Sequence, residues 1–306
     1  LALIKTYFEQ NKDSKLKLIL MSATIAENSF AEYLKEVNGG EIPIIKIKES
    51  LHKVIDFSLE YIIKNIRNDN FISNKLKHEI DNVTQSCINQ AKPDPVFMNE
   101  LFPIVTAIIE KIENENLDNK NGILIFVPGI GEIQELQNYL LKYFIYKNNL
   151  EFLILHSQIS DSEQDKIFKN NGKRKIILAT NIAESSITIS NIDFVIDFCL
   201  VKQKKYEEDE NSSVLELKWC SKANCQQRKG RTGRVNNGYY FQLIRKKLYD
   251  SLDGHPKPEI LRTPLDNPIL KLKIYDPDKE PSELLLRTIS PPSEEAILRT
   301  IFKLEK

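Results

Sequence analysis

No stretch of the 306-residue sequence stays apolar for the roughly 18 residues that a membrane-spanning helix requires, and no charged-then-apolar leader opens it, so no membrane partner is expected. An excess of one charge is missing too. The 43 Lys plus Arg balance 43 Asp plus Glu, so any grip on nucleic acid must come from local patches and not from a net basic field. Cysteine is scarce and badly spaced for metal. Cys87, Cys199, Cys220 and Cys225 form no CxxC, and none of His52, His78, His156 and His255 stands close to a cysteine pair. That excludes an ordinary zinc site and points to reduced, packed thiols of an intracellular protein.

What is present is enough apolar residue, 41%, to bury a core in one large or two smaller domains. Leu1, Ile4, Tyr7 and Phe8 share a helical spacing, and LKLILMSATI (16–25) reads as a buried strand ending in the hydroxyls of Ser22 and Thr24. The β-branched run IPIIKIKESLHKVIDFSLEYI (42–62) predicts strands or an extended crossover. Residues 64–100 are polar and Asn-rich with prolines at the end, which predicts a loop or partly helical insertion. A helix follows over about 99–114, with Leu101, Val105, Ile108, Ile109 and Ile112 on one face.

From there strands and helices alternate: strand 122–129, helix 132–146, strand 152–157, helix 161–169, strand 174–180 and strand 192–199. This rhythm, with strands apolar almost throughout, predicts an α/β fold in which a parallel sheet is covered on both faces. Polar residues gather just past the strand ends, at Gly129, His156, Ser157, Thr180, Asn181 and Asp197, where such a sheet places its site. The basic run KNNGKRK (169–175) is better read as a solvated loop than as a nucleic-acid contact.

The segment CQQRKGRTGR (225–234) is the densest chemistry in the chain. Arginine is planar, always charged and bidentate, so Arg231 and Arg234, three apart at a helix end, can clamp adjacent phosphoryl groups, with glycine allowing a tight backbone beside them. Alone, the string could equally be a basic surface turn.

Its company decides. ILMSATI, ILIFVPGIGEI, LHSQIS, ATNIAESSITI with VIDFCLVKQKKYE, and QQRKGRTGR follow one another in the order and spacing of motifs III, IV, IVa, V and VI of the DEAH-box RNA helicases, which the chain resembles over nearly its whole length. VIDFCL, the acidic 207–210 and NCQQRKGR are similar to the Spindle-E type, the tudor-domain DEAH helicases of germline small-RNA silencing. The resemblance implies a RecA-like parallel sheet flanked by helices. Residues 1–50 would be the end of a first RecA-like domain, 51–248 a complete second one carrying motifs IV to VI, and 249–306 the start of a winged-helix domain.

The resemblance also implies roles. Gln227, Arg231 and Arg234 would face a triphosphate, the two arginines acting as fingers in cis that neutralise charge on the γ-phosphoryl group. Ser186 and Asp193 would line the nucleotide side, and Phe168 would stack on adenine, against the plainer expectation of a core phenylalanine. Gly129, His156, Ser157, Thr180 and Asn181 would contact the backbone of single-stranded RNA, and Ser22 and Thr24 would link nucleotide state to strand binding. ATP and Mg2+ are the implied cofactors, small-RNA pathway proteins the further partners, and the cytoplasm, at perinuclear germ granules, the implied location. The hairpin expected over 202–219 matches one proposed to wedge between strands.

No GxxxxGK[ST] loop and no DExH box occur, so the chain lacks the lysine that holds phosphates and the carboxylate that positions magnesium; it is expected to be part of a longer protein and inactive alone. Two other classes compete. One is a helicase-shaped RNA-binding scaffold without catalysis, against which Gln227, Arg231 and Arg234 argue; the other is a phosphate-binding metabolic α/β enzyme, which requires motifs V and VI to be coincidence.

Overall fold

The alternating apolar runs become one parallel sheet. The computed structural model describes residues 1–21, 27–37, 40–47, 52–83, 93–115, 121–184, 187–207 and 212–305. Contacts divide the chain into two units, one of Leu1–Ile47, Lys204–Glu216 and Lys257–Lys306, the other of Lys48–Gln203 and Leu217–Pro256. In chain order the described elements begin with α1 (Ala2–Gln10), α2 (Glu27–Leu34), β1 (Val54–Phe57), α3 (Leu59–Arg67), α4 (Asn74–Val83), α5 (Pro95–Glu100) and α6 (Phe102–Glu115). They continue with β2 (Gly122–Phe126), α7 (Ile130–Tyr143), β3 (Leu150–Leu155), α8 (Asp161–Phe168), β4 (Arg174–Ala179), a 3-10 turn (Asn181–Glu184) and β5 (Ile192–Asp197). Next come β6 (Leu200–Glu207), β7 (Ser212–Trp219), α9 (Lys222–Lys229), β8 (Gly238–Gln242), α10 (Lys246–Asp250), α11 (Asp266–Tyr275), α12 (Pro281–Leu286) and α13 (Glu294–Leu304).

Six strands pair in the order β1-β8-β5-β2-β4-β3, every pair parallel. Successive side chains on a strand point to opposite faces, so the two layers read off directly. Ile123, Ile125, Ile176, Leu178, Phe194 and Ile196 meet the apolar faces of α3, α4, α6 and α7 on one side. Leu124, Phe126, Ile177, Ala179, Val195 and Tyr240 line the other side with Ile167 of α8 and Ala183 of the 3-10 turn. β2 and β5 are buried along their whole length, as central strands covered on both faces must be. β6 and β7 pair separately as a two-stranded hairpin where one was expected.

Two local expectations are corrected, and the polar insertion is partly helical as expected. Residues 16–21 form no strand; Leu16, Ile19 and Met21 are exposed, and the rest of that run lies outside the described residues. A lone extended segment has no neighbouring strand to take its backbone N–H and C=O groups, and among the described residues no strand pairs with it. Residues 41–47 are likewise extended without a ladder, and of the β-branched run that follows only Val54–Phe57 joins the sheet while Leu59–Arg67 turns helical. There Leu59, Ile62, Ile63 and Ile66 recur at helical spacing and are buried, so the 3.6-residue period outweighs β-propensity. The polar insertion contains α4 and α5; Asp94 caps α5 by accepting from Phe97 N at 2.8 Å with Pro95 at its first helical position.

In the other unit, Leu265, Ile269, Leu285 and Ile297 join α11, α12 and α13 in a small core. Lys303 donates to Asp266 at 2.8 Å, which holds that carboxyl below its usual range, and Tyr33 donates to the Arg287 carbonyl at 2.6 Å.

Candidate functional site

Two groups of predicted residues are brought together at different places on the same sheet. Gly129 follows β2, His156 and Ser157 follow β3, and Thr180 and Asn181 follow β4; these three strands are neighbours, so all five residues share one stretch of the carboxyl edge. The edge is tied across: Val127 N donates to Ala179 O at 2.8 Å and Thr180 N to Leu155 O at 3.1 Å. His156 Nδ1 accepts from Gln158 N at 3.1 Å, which leaves Nε2 to carry the proton of the neutral ring and to donate outward. Gly129 begins α7, and a Cβ there would stand 2.7 Å from Glu132 Oε2 and 3.2 Å from Lys202 Nζ. Close approach explains this glycine. Lys202, which sequence reasoning passed over, pairs with Glu132 at 2.6 Å beside it.

The second group is built on α9. Ser221 caps it in a reciprocal box with Asn224, and Cys220 N bonds Cys199 O at 2.8 Å, so the helix starts near the carboxyl edge. At its far end Thr232 Oγ1 donates to Asp193 O at 2.8 Å, near the amino end of β5. Cys225 and Arg228, three apart, share its buried face.

Arg228 is only 1% exposed. Its Nε donates to Glu184 Oε1 at 2.8 Å, its Nη1 to Asp197 Oδ1 at 2.7 Å, and both terminal nitrogens to Leu200 O at 3.2 Å, while the guanidinium lies 5.0 Å from the Phe126 ring centroid. Burial works against its charge, yet Asp197 and Glu184 outweigh it and raise the group well above its ordinary value. Asp197 also accepts from Tyr240 Oη at 2.6 Å and from Cys199 N at 2.7 Å; burial and that carboxylate keep the phenol protonated as the donor. Glu184 Oε2 accepts from Asn224 Nδ2 at 3.0 Å.

Arg231 leaves the end of α9 half-buried. It donates to the Glu184 carbonyl, and to the Ile187 carbonyl at 3.4 Å, while its Nε is buried with no acceptor among the described residues. Burial, then the neighbouring Arg234 charge, lowers this guanidinium from its ordinary value. Gly233 at φ 74° turns the chain so that Arg234, whose Nε donates to Gly230 O at 3.2 Å, follows on the same arm. An unsatisfied buried donor beside a second arginine fits an anionic oxygen, as the phosphates of ATP would supply.

The remaining predicted residues separate. Phe168 ends α8 with 49% of its surface exposed, so it is not a core ring. Asp193 is buried, and its Oδ2 accepts from Asn121 Nδ2 at 2.7 Å, which turns the carboxylate to the sheet end. Ser22, Thr24 and Ser186 lie outside the described residues. Asp197, Cys199 and Cys225 bring three potential ligand atoms within 4.8 Å of one another. The group does not fit Mg2+: burial pushes the Cys199 thiol up to about 11, and the Asp197 carboxylate is taken by Arg228 and Tyr240. These cysteines are packed thiols, as expected. A separate cavity of about 310 Å3, lined by residues of α3 and by Arg245, contains none of the predicted residues.

The helicase conserved C-terminal domain family matches residues 104–236. Over 95% of its length the chain is 33% identical to the ATP-dependent RNA helicase TDRD9 of Mus musculus, covering 21% of that protein. It is 35% identical along its whole length to the probable ATP-dependent RNA helicase spindle-E of Aedes aegypti, covering 22% of it, and 33% identical over 95% of its length to the ATP-dependent DNA/RNA helicase DHX36 of Homo sapiens, covering 31%. The chain is thus similar to ATP-dependent RNA helicases of the TDRD9 and spindle-E type and carries the helicase conserved C-terminal domain. It spans about a fifth to a third of the length of these relatives. Its fold matches the crystal structure of the Escherichia coli DEAH/RHA helicase HrpB with a TM-score of 0.72 at 22% identity, over 99% of this chain and 33% of that one.

Within this helicase-like chain, sequence reasoning assigned the later arginines of the QQRKGRTGR motif and missed the inward one. The signal was available: Cys225 and Arg228 fall on one helical face, and Glu184 and Asp197 are acids set among apolar residues. Thr232 of the same motif is buried as well, with its hydroxyl against β5.

Proposed function

We propose that this chain is the RNA-gripping and phosphate-sensing part of an ATP-dependent RNA helicase, in which 1–50 is the end of a first RecA-like domain, 51–248 the second and 249–306 the start of a winged helix. The observation that carries this is the arm at the end of α9. A buried arginine, Arg228, anchors the helix, and Arg231 with an unsatisfied buried Nε and Arg234 follow it. Gln227, Arg231 and Arg234 would hold the γ-phosphoryl group of ATP and neutralise the charge it gains as it leaves, with Phe168 offering its exposed ring to the base. The Nε2–H of His156, the Ser157 and Thr180 hydroxyls, the Asn181 amide and the open backbone at Gly129 would take phosphates and sugars of single-stranded RNA, which gives grip without strong base preference. Ser22 and Thr24 would couple the two.

The test is ATP turnover by the full-length protein with and without single-stranded RNA, beside Arg234→Ala. Loss of an arginine finger is expected to cost about 10³-fold or more in RNA-stimulated rate. RNA binding with turnover indistinguishable from the variant would end the motor proposal. The likeness to the Spindle-E type supports a finer proposal: work in germline small-RNA (piRNA) silencing, in the cytoplasm at perinuclear granules, alongside small-RNA pathway proteins. Germ cells lacking the protein yet keeping an unchanged small-RNA population would count against it.

A further inference from the structure

Cys199 follows β5, Cys220 follows β7 and Cys225 lies on the buried face of α9, yet the three come together in one small core. Cys220 N donates to Cys199 O at 2.8 Å, and the Cys225 thiol is hydrogen-bonded to the thiols of both others. All three are buried. Val201 and Ile244 pack around them, and the partly buried Trp219, Leu248, Tyr249 and Leu252 cover the group. No CxxC spacing announces the cluster, because its members come from three different elements.

Packing alone gives no reason for the thiol at Cys199. Its φ of 56° lies in the left-handed region, where glycine turns freely and a side chain is strained, and its N–H is held there by Asp197 Oδ1 at 2.7 Å. A carboxylate oxygen of Asp197 and the sulfurs of Cys199 and Cys225 lie within 4.8 Å of one another. Two zinc–sulfur bonds of about 2.3 Å at a tetrahedral angle span about 3.8 Å, so one ion reaches these atoms once they draw inward by up to about 1 Å. A carboxylate offers about four lone-pair sites. Asp197 uses three of them on Arg228, Cys199 N and Tyr240, which leaves one.

Three sulfurs and one oxygen make a soft tetrahedral set, which suits Zn2+ and not the oxygen cage of Mg2+. Burial alone favours the neutral thiols, whereas an ion that bonds to sulfur replaces their protons. Three S–H bonds break, three Zn–S bonds form, and the three protons leave to solvent. The thiolates and Zn2+ then sum to a single negative charge, and the Arg228 guanidinium lies close enough to Cys199 and Cys220 to offset it.

We propose that Cys199, Cys220 and Cys225, with Asp197, form a buried zinc site that staples the chain after β5 and β7 to α9, the helix that carries the arginine arm. The inference does not depend on the helicase function proposed above.

The test uses the full-length protein without a histidine tag, expressed in zinc-supplemented medium and purified with a reductant, as wild type, Cys225→Ala and Cys199→Gly. Cys199→Gly relieves the left-handed turn, so it should fold at least as well as wild type and stays informative if Cys225→Ala unfolds. After dialysis against a chelator, elemental analysis is expected to find about one zinc ion per chain more in wild type than in either variant. Protein produced with cadmium in place of zinc should show a thiolate-to-metal ultraviolet band that is weaker in both variants. Equal zinc in all three, an adventitious ion only, would overturn the inference. A zinc difference with no change in the cadmium band would overturn it as well, since sulfur would then not be the ligand.

Discussion

Arg228→Met removes the charge at the centre of the α9 anchor while nearly keeping its volume. Two carboxylates then lose their cation, Glu184 at 6% exposure and Asp197 at 0%. Breaking a buried pair from one side costs about 3–5 kcal/mol, because the partner stays buried and unpaired. Here some donors survive. Asp197 keeps Tyr240 Oη at 2.6 Å and Cys199 N at 2.7 Å, and Glu184 keeps Asn224 Nδ2 at 3.0 Å, so the lower end, about 3 kcal/mol, is expected. Urea unfolding followed by circular dichroism reads it, and against a domain stability of about 5–15 kcal/mol it is large. A loss under about 1 kcal/mol, the worth of an exposed pair, would refute the reasoning.

Gly129→Ala places a methyl group against the movable ends of Glu132 and Lys202, so unfolding should change by less than about 1 kcal/mol while titration shows weaker binding of single-stranded RNA; unchanged affinity removes Gly129 from the RNA edge. Phe168→Ala should leave the unfolding midpoint within about 0.5 kcal/mol of wild type and raise KM for ATP in the full-length protein. Thr232→Val deletes the donor to Asp193 O and should cost about 1 kcal/mol in urea unfolding, with no loss if that bond is unimportant. Cys199 holds its proton to about 11 when folded against 9.0 unperturbed, so it favours folding below the lower value; about 2–3 kcal/mol should drain away between the two, and native protein at neutral pH should resist alkylation until it unfolds.

The parallel sheet was legible because its strands carry their own signal. Runs such as GILIF and IDFVID are apolar at every position, which only a strand covered on both faces tolerates, and the helices between them show a clear 3.6-residue period. Leu16–Met21 looks just as apolar and forms no strand, since sequence shows a segment's wish to be buried and not whether a neighbour exists to pair with it. β8 escaped for the opposite reason. GYYFQ is short and partly polar, and it becomes a strand because β1 and β5 flank it on either side.

The site divides along the same line. Residues that end strands, such as Thr180 and His156, fall where chain order alone puts them, at the edge of a parallel sheet. Arg228, Glu184 and Asp197 could not be joined that way, because their contacts run across 31 and 44 positions of sequence and exist only once α9 is laid on the sheet. An arginine motif is read most easily as a set of outward hands, yet an arm that meets phosphate with useful aim needs a fixed shoulder. Helix ends fray, and the two arginines proposed to meet phosphate stand beyond the last turn of an eight-residue helix. A helix that short is marginal by itself, so its position has to come from tertiary contacts, and a buried guanidinium with five directed donors fixes rotation about the helix axis where an apolar side chain would only fix depth. The inward arginine is thus what makes the outward ones usable.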